Sequence, residues 1–136
     1  RFTMENAPHS VKKILDYSGL AMNDVDFVAF DQANGQIVKT IAAHSGVPEE
    51  KYSNTTFTNY ANCGAPSVVT NICDALFARK INKLMMVTFG VGLSWGTALV
   101  NFKNVYNGGI AFYSATNPPP SRQELITHWI KHFRGE

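Results

Sequence analysis

The sequence predicts an α/β fold, with helices layered over a mixed sheet. Three observations lead there. Short runs of strand-forming residues alternate with segments whose apolar residues recur at helical spacing. The last two runs stand side by side, separated only by Gly90-Val91-Gly92, so the sheet mixes crossover-linked strands with a directly joined pair. Finally, 45% of the 136 residues are hydrophobic, which is enough for a core.

The first element reads as a helix. Asn6 is placed to cap it, Pro8 sits just inside the start, Val11, Ile14 and Leu15 form its apolar stripe, and Gly19 ends it. Residues 25–30, Val-Asp-Phe-Val-Ala-Phe, are strand formers. A second helix is expected over residues 34–45, with Ile37, Ile41 and Ala42 on one face and Gly46 and Pro48 closing it. Residues 52–57 read as a short strand. The clearest helix carries Val69, Ile72, Cys73, Leu76 and Phe77 at i, i+3, i+4, i+7 and i+8. Residues 83–89 then read as a buried strand and residues 93–102 as its neighbour. Composition changes after Phe102, dividing the chain into a unit over 1–102 and an extension over 103–136. The extension holds an Asn107-Gly108-Gly109 turn and a stiff linker, Asn117-Pro118-Pro119-Pro120. It ends in an amphipathic helix with Leu125, Ile126, Trp129, Ile130 and Phe133 on its apolar face.

Composition excludes several classes of function. A net charge of +2 with 16% charged residues and no basic or acidic run gives no footprint for nucleic acid. No apolar run approaches the roughly 18 residues of a membrane span. The two cysteines, Cys63 and Cys73, make no disulfide framework, and a reduced cytoplasmic setting is expected. His128 and His132 stand four apart on a helix but lack a third ligand at suitable spacing, so no metal is expected.

Three segments carry the chemistry. They are Val28-Ala29-Phe30-Asp31-Gln32-Ala33-Asn34, Asn59-Tyr60-Ala61-Asn62-Cys63-Gly64-Ala65-Pro66-Ser67, and Thr88-Phe89-Gly90-Val91-Gly92-Leu93-Ser94-Trp95-Gly96. In this order and spacing they resemble the C-terminal half of the β-ketoacyl-acyl carrier protein synthase III enzymes, condensing enzymes of the thiolase superfamily. The first is similar to that family's His-Gln-Ala-Asn motif. The second is similar to its Tyr-Gly-Asn-Thr-Ser-Ala-Ala-Ser, and the third to its Gly-rich turn and Trp-Gly strand. The strings Ser18-Gly19-Leu20 and Ser45-Gly46-Val47-Pro48 fall where the family has comparable ones.

The resemblance implies a thiolase-like layered fold and a fatty-acid or polyketide type of acyl transfer. A nucleophilic Cys lies upstream of Arg1 in that scheme and takes an acyl group from a CoA or acyl carrier protein thioester. A His and an Asn of this half then hold the malonyl thioester oxygen while CO2 leaves, two donors aimed at charge that develops during reaction. Asn62 matches the Asn and can donate through its amide. Gln32, Asn34, Gly90 and Gly92 are the residues implied at the substrate. No cofactor is implied beyond the thioesters, and a homodimer built by extending the sheet between subunits is expected.

Asp31 stands where the family has its His. Three readings stay open for it: a protonated carboxyl that donates, an ionised base that activates an alcohol or amine acceptor, or a half that pairs without catalysis. An Asp capping the following helix is the plainer alternative. A loop Asn bound to local backbone is the corresponding one for Asn62. His44 lies thirteen residues beyond Asp31 and does not replace the missing His. Cys63 reads as a small side chain beside Asn62, and Cys73 as a buried, inert one.

Overall fold

The computed structural model describes residues 2–90, 92–111 and 120–134. Helix α1 (Phe2–Ser18) leads to strand β1 (Phe27–Phe30), helix α2 (Gly35–His44), a short helix α3 (Thr55–Tyr60) and helix α4 (Ser67–Ala78). Strands β2 (Lys83–Gly90) and β3 (Ser94–Asn101) follow, and α5 (Arg122–Arg134) closes the chain. The sheet has order β1-β2-β3, with β1 parallel to β2 and β2 antiparallel to β3. The expected α/β mixed sheet is therefore present, and the expected linker at 117–120 lies largely outside the described residues.

Alternation along the strands builds two cores. Val28, Phe30, Met85 and Val87 face α1 and α2, packing with Ala7, Val11, Val38 and Ile41. Phe27, Ala29 and Leu84 face the other way, onto Ile72 and Ala75 of α4. All four residues of β1 are fully buried because helices cover both of its faces. Burying a Phe such as Phe27 or Phe30 contributes roughly 2–3 kcal/mol each.

Several expectations change in the structure. α1 begins at Phe2, so Asn6 and Pro8 lie inside it, and the Asn6 amide donates to the Phe2 carbonyl at 2.9 Å instead of capping. Tertiary contact anchors the early start: the Phe2 ring meets Trp95 edge-on at 5.1 Å, and the Ser10 hydroxyl bonds that of Thr97 at 2.6 Å. Gly19 does end the helix, in the left-handed conformation at φ +68°. Residues 25–26 stay outside β1. There the Asp26 amide still donates to the Lys83 carbonyl at 2.9 Å, and its carboxylate accepts the Asn82 and Lys83 amides at 2.8 and 2.9 Å.

Residues 55–60 form α3 where a strand was expected. The α4 stripe is also rotated from its expected face. Val69 and Phe77 are 61% and 68% exposed, whereas Ser67, Asn71, Ile72 and Ala75 are buried. Cys73 is only half-buried. Lys51 ties the loop before β1 to the segment after α2, its ammonium donating to the carbonyls of Met22, Asn23 and Val25 at 2.9, 3.0 and 2.8 Å. α5 carries the capping box Ser121–Glu124, and Leu125, Ile126, Trp129, Ile130 and Phe133 are all exposed on it.

Candidate active site

Topology brings the three sequence motifs to one edge of the sheet. Asp31 follows the last residue of β1, and its amide extends the parallel ladder by donating to Val87 at 2.9 Å. The Gly90–Ser94 turn closes the same end of β2. α4 packs on β1 and β2 and leads directly into β2, so it runs back along the sheet. Its N-terminus, with the loop carrying Asn62, therefore lies at the C-terminal ends of the parallel strands. That edge is where open α/β sheets place their ligands.

The Asp31 side chain is half-buried, and burial pushes its carboxyl above the ordinary carboxylate range, partly offset by the Gln32 backbone N–H. Among the described residues no side chain donates to it. It does not cap α2. Asn34 does, accepting the Ile37 amide on its Oδ1 at 2.9 Å. Gln32 is fully buried. Its Nε2 donates to the carbonyls of Phe30 and Ser53, both at 3.1 Å, and its Oε1 accepts the Phe57 amide at 3.3 Å. Gln32 and Asn34 were both expected at the substrate; in the structure these polar atoms hold backbone.

In the second motif, α3 ends at Tyr60 and the chain turns sharply through Ala61, at φ 59° and ψ −160°. That conformation is essentially restricted to glycine. Asn62 is exposed, and its Oδ1 accepts the Gly64 amide at 2.8 Å. Only the oxygen of an amide can accept, so this bond fixes which way the group is turned and leaves the NH2 as a donor. Cys63 turns inward, with its thiol against the Tyr60 carbonyl at 3.3 Å. Gly92, at φ +94°, permits the tight connection, and a side chain on Gly90 would come within 3.2 Å of the Ser94 hydroxyl.

A polar cluster behind the site was not anticipated. The buried Asn71 Nδ2 donates to the Thr56 hydroxyl at 2.8 Å and lies 3.4 Å from the Ser53 carbonyl that Gln32 also binds. The sequence signal was available: Asn71 interrupts an otherwise apolar helix face, one turn from Ser67. His44 lies at the far end of α2, beside a groove of about 590 Å³ between α1 and α2, away from Asp31. No group of three metal-ligating side chains occurs among the described residues. No helix among them is long and apolar enough to cross a membrane.

The layered α/β unit, with the three motifs gathered at the C-terminal strand ends, is built like part of a thiolase-like fold. Comparison with known proteins makes the assignment specific. Residues 15–102 match the family described as 3-Oxoacyl-[acyl-carrier-protein (ACP)] synthase III C terminal, and the chain belongs to that family. It is 37% identical over 99 residues to the beta-ketoacyl-[acyl-carrier-protein] synthase III of Geobacillus kaustophilus, covering 71% of this chain and 32% of that protein. The crystal structure of a 3-oxoacyl-(acyl-carrier protein) synthase from Burkholderia xenovorans superposes with a TM-score of 0.63 at 31% identity, covering 74% of this chain and 29% of that one. The synthase III of Pseudomonas aeruginosa gives 0.66 at 25% identity, over 73% and 32%. The chain thus spans about a third of the length of the relatives it matches. The family match ends at Phe102, before the extension.

Proposed function

We propose that this chain is the C-terminal part of an acyl-thioester condensing enzyme of the synthase III type. In this reading an upstream Cys thiolate attacks an acyl-CoA or acyl carrier protein thioester, forming an acyl-enzyme and releasing the thiol. A malonyl thioester then loses CO2, and the resulting enolate carbon attacks the acyl carbonyl and expels the Cys thiolate. The observation that carries the reading is Asn62. Its oxygen is tied to Gly64, so its NH2 stands ready to donate to the thioester oxygen that gains charge. Asp31, with its raised pKa, serves as the second donor while protonated, so condensation should decline as pH rises through that pKa. A homodimer of the whole protein belongs to the same reading.

One observation favours a second reading. No side chain partners the Asp31 carboxylate among the described residues, so when ionised it is free to take a proton from an alcohol or amine acceptor. The full-length protein, assayed with malonyl and non-malonyl acceptors, decides between the two. CO2 release and a ketoacyl product support condensation, and Asp31→His should then raise the rate at neutral pH. Acyl transfer to a hydroxyl or amine without CO2 release supports Asp31 as a base. Asn62→Ala should lower condensation about 10²–10³-fold, as for removal of other oxyanion donors. An unchanged rate in that variant would sink the role given to Asn62.

A further inference from the structure

The buried polar cluster behind Asn62 connects the two halves of the candidate site. Gln32 follows Asp31 directly, is fully buried, and spends its amide on three backbone partners: Phe30 in β1, Ser53 and Phe57. Asn71 reaches Ser53 and Thr56 from the opposite side, out of α4. Between them stands α3, only 6 residues long and too short to hold its place by helix propensity. Its first turn is gripped by the two amides, and its last residue leads straight into Ala61 and Asn62. The Ala61 amide donates to the Phe57 carbonyl at 2.8 Å, so Phe57 links the Gln32 amide to the turn that presents Asn62.

We infer that Gln32 and Asn71 are positioning residues, a buried bracket that sets where the Asn62 amide stands relative to Asp31. The bracket consists of neutral amides bound to backbone and to the Thr56 hydroxyl, so it holds α3 without placing a competing charge beside the carboxyl. It is built for rigidity. Misplacing a reacting group by about 1 Å can cost about a hundredfold in rate, far more than one hydrogen bond contributes to stability. This inference rests on the condensing reading for its kinetic consequence, but not for its structural one.

The experiment uses the full-length protein with Gln32→Met, which preserves volume while removing the amide, and Asn71→Ala as an independent variant. Hydrogen exchange across residues 55–62 should speed up about fivefold or more in either variant, the loss expected for about one net hydrogen bond. Turnover should fall about tenfold to a hundredfold while KM changes less than about twofold. In an Asn62→Ala background the same substitutions should change turnover by less than about twofold, because the group they position is gone. Unchanged exchange in both variants would overturn the bracket whether or not the protein catalyses condensation. Faster exchange with additive kinetic losses in the Asn62→Ala background would overturn positioning of Asn62. Should the wild type show no acyl transfer, the functional reading fails, and exchange at 55–62 alone still decides whether the bracket exists.

Discussion

Replacing Ala61 with glycine should stabilise the protein, and the magnitude follows from the backbone. At φ 59° and ψ −160° the Ala61 methyl is held against its own peptide groups, a conformation costing a non-glycine residue about 1–3 kcal/mol. Ala61→Gly removes that strain. It also gives the unfolded chain more freedom, which returns about 0.4–1 kcal/mol in the opposite direction. The net gain is about 1.3 kcal/mol at the centres of the two ranges. With a urea dependence of about 2 kcal/mol per molar, the unfolding midpoint should rise by roughly 0.6 M. Tryptophan fluorescence is a suitable probe, since Trp95 packs edge-on against Phe2. Gly46→Ala, at φ +66° with open space around it, is the matching control and should lower the midpoint. A midpoint for Ala61→Gly at or below the wild-type value would refute the argument, because no contact of the methyl is credited with holding the turn. Glycine is also the residue in the motif this segment resembles, so turnover should be retained.

Other substitutions test separate parts of the fold. Lys51→Met removes three charge-assisted hydrogen bonds to the carbonyls of Met22, Asn23 and Val25 and should cost about 2 kcal/mol by chemical unfolding. Asp26 has its pKa lowered by the Lys83 and Asn82 amides, so its stabilising effect is full above the ordinary carboxylate pKa. That effect fades as acid protonates it, and Asp26→Asn should show a smaller stability loss than wild type when titrated below about pH 4. Asp31 has the opposite sign. Its raised pKa means that the folded state keeps a proton the unfolded chain has released, so stability falls as pH rises through that window. Asp31→Asn should therefore match wild type in acid and exceed it at neutral pH. Equal stabilities at both pH values would show that burial imposes no charge penalty there.

Much of this architecture was legible because its signals are local. The passage from β1 through Asp31 into α2 is written in a strand run and a terminating Gly46, and each operates within a few residues. The β2–β3 hairpin is likewise announced by Gly90 and Gly92. α3 was not legible. Residues 52–57 are Tyr-Ser-Asn-Thr-Thr-Phe, with the composition of a strand, and the helix over 55–60 depends on an amide from Gln32 and a buried Thr56. Those partners lie 25 and 15 residues away from the atoms they bind, beyond the reach of a propensity argument. The rotated face of α4 has the same origin, since Asn71 turns inward to serve the polar cluster while Val69 and Phe77 turn out. Of the site itself, the positions of Asp31 and Asn62 were readable from motif order. The support given by Gln32 and Asn34 was not, because only coordinates show how their amides are spent.

The three-carbonyl grip on Lys51 has a chemical consequence beyond stability. Thioesters acylate exposed amines without enzymatic help, so the thioester chemistry proposed above would put the protein's own lysines at risk. The Lys51 nitrogen is engaged with the carbonyls of Met22, Asn23 and Val25, which stand in the way of an approaching electrophile. Lys12, Lys13, Lys39 and Lys80, all exposed, carry no such protection. Adventitious acylation should therefore fall on these surface lysines and spare the one that joins the loop before β1 to the rest of the fold.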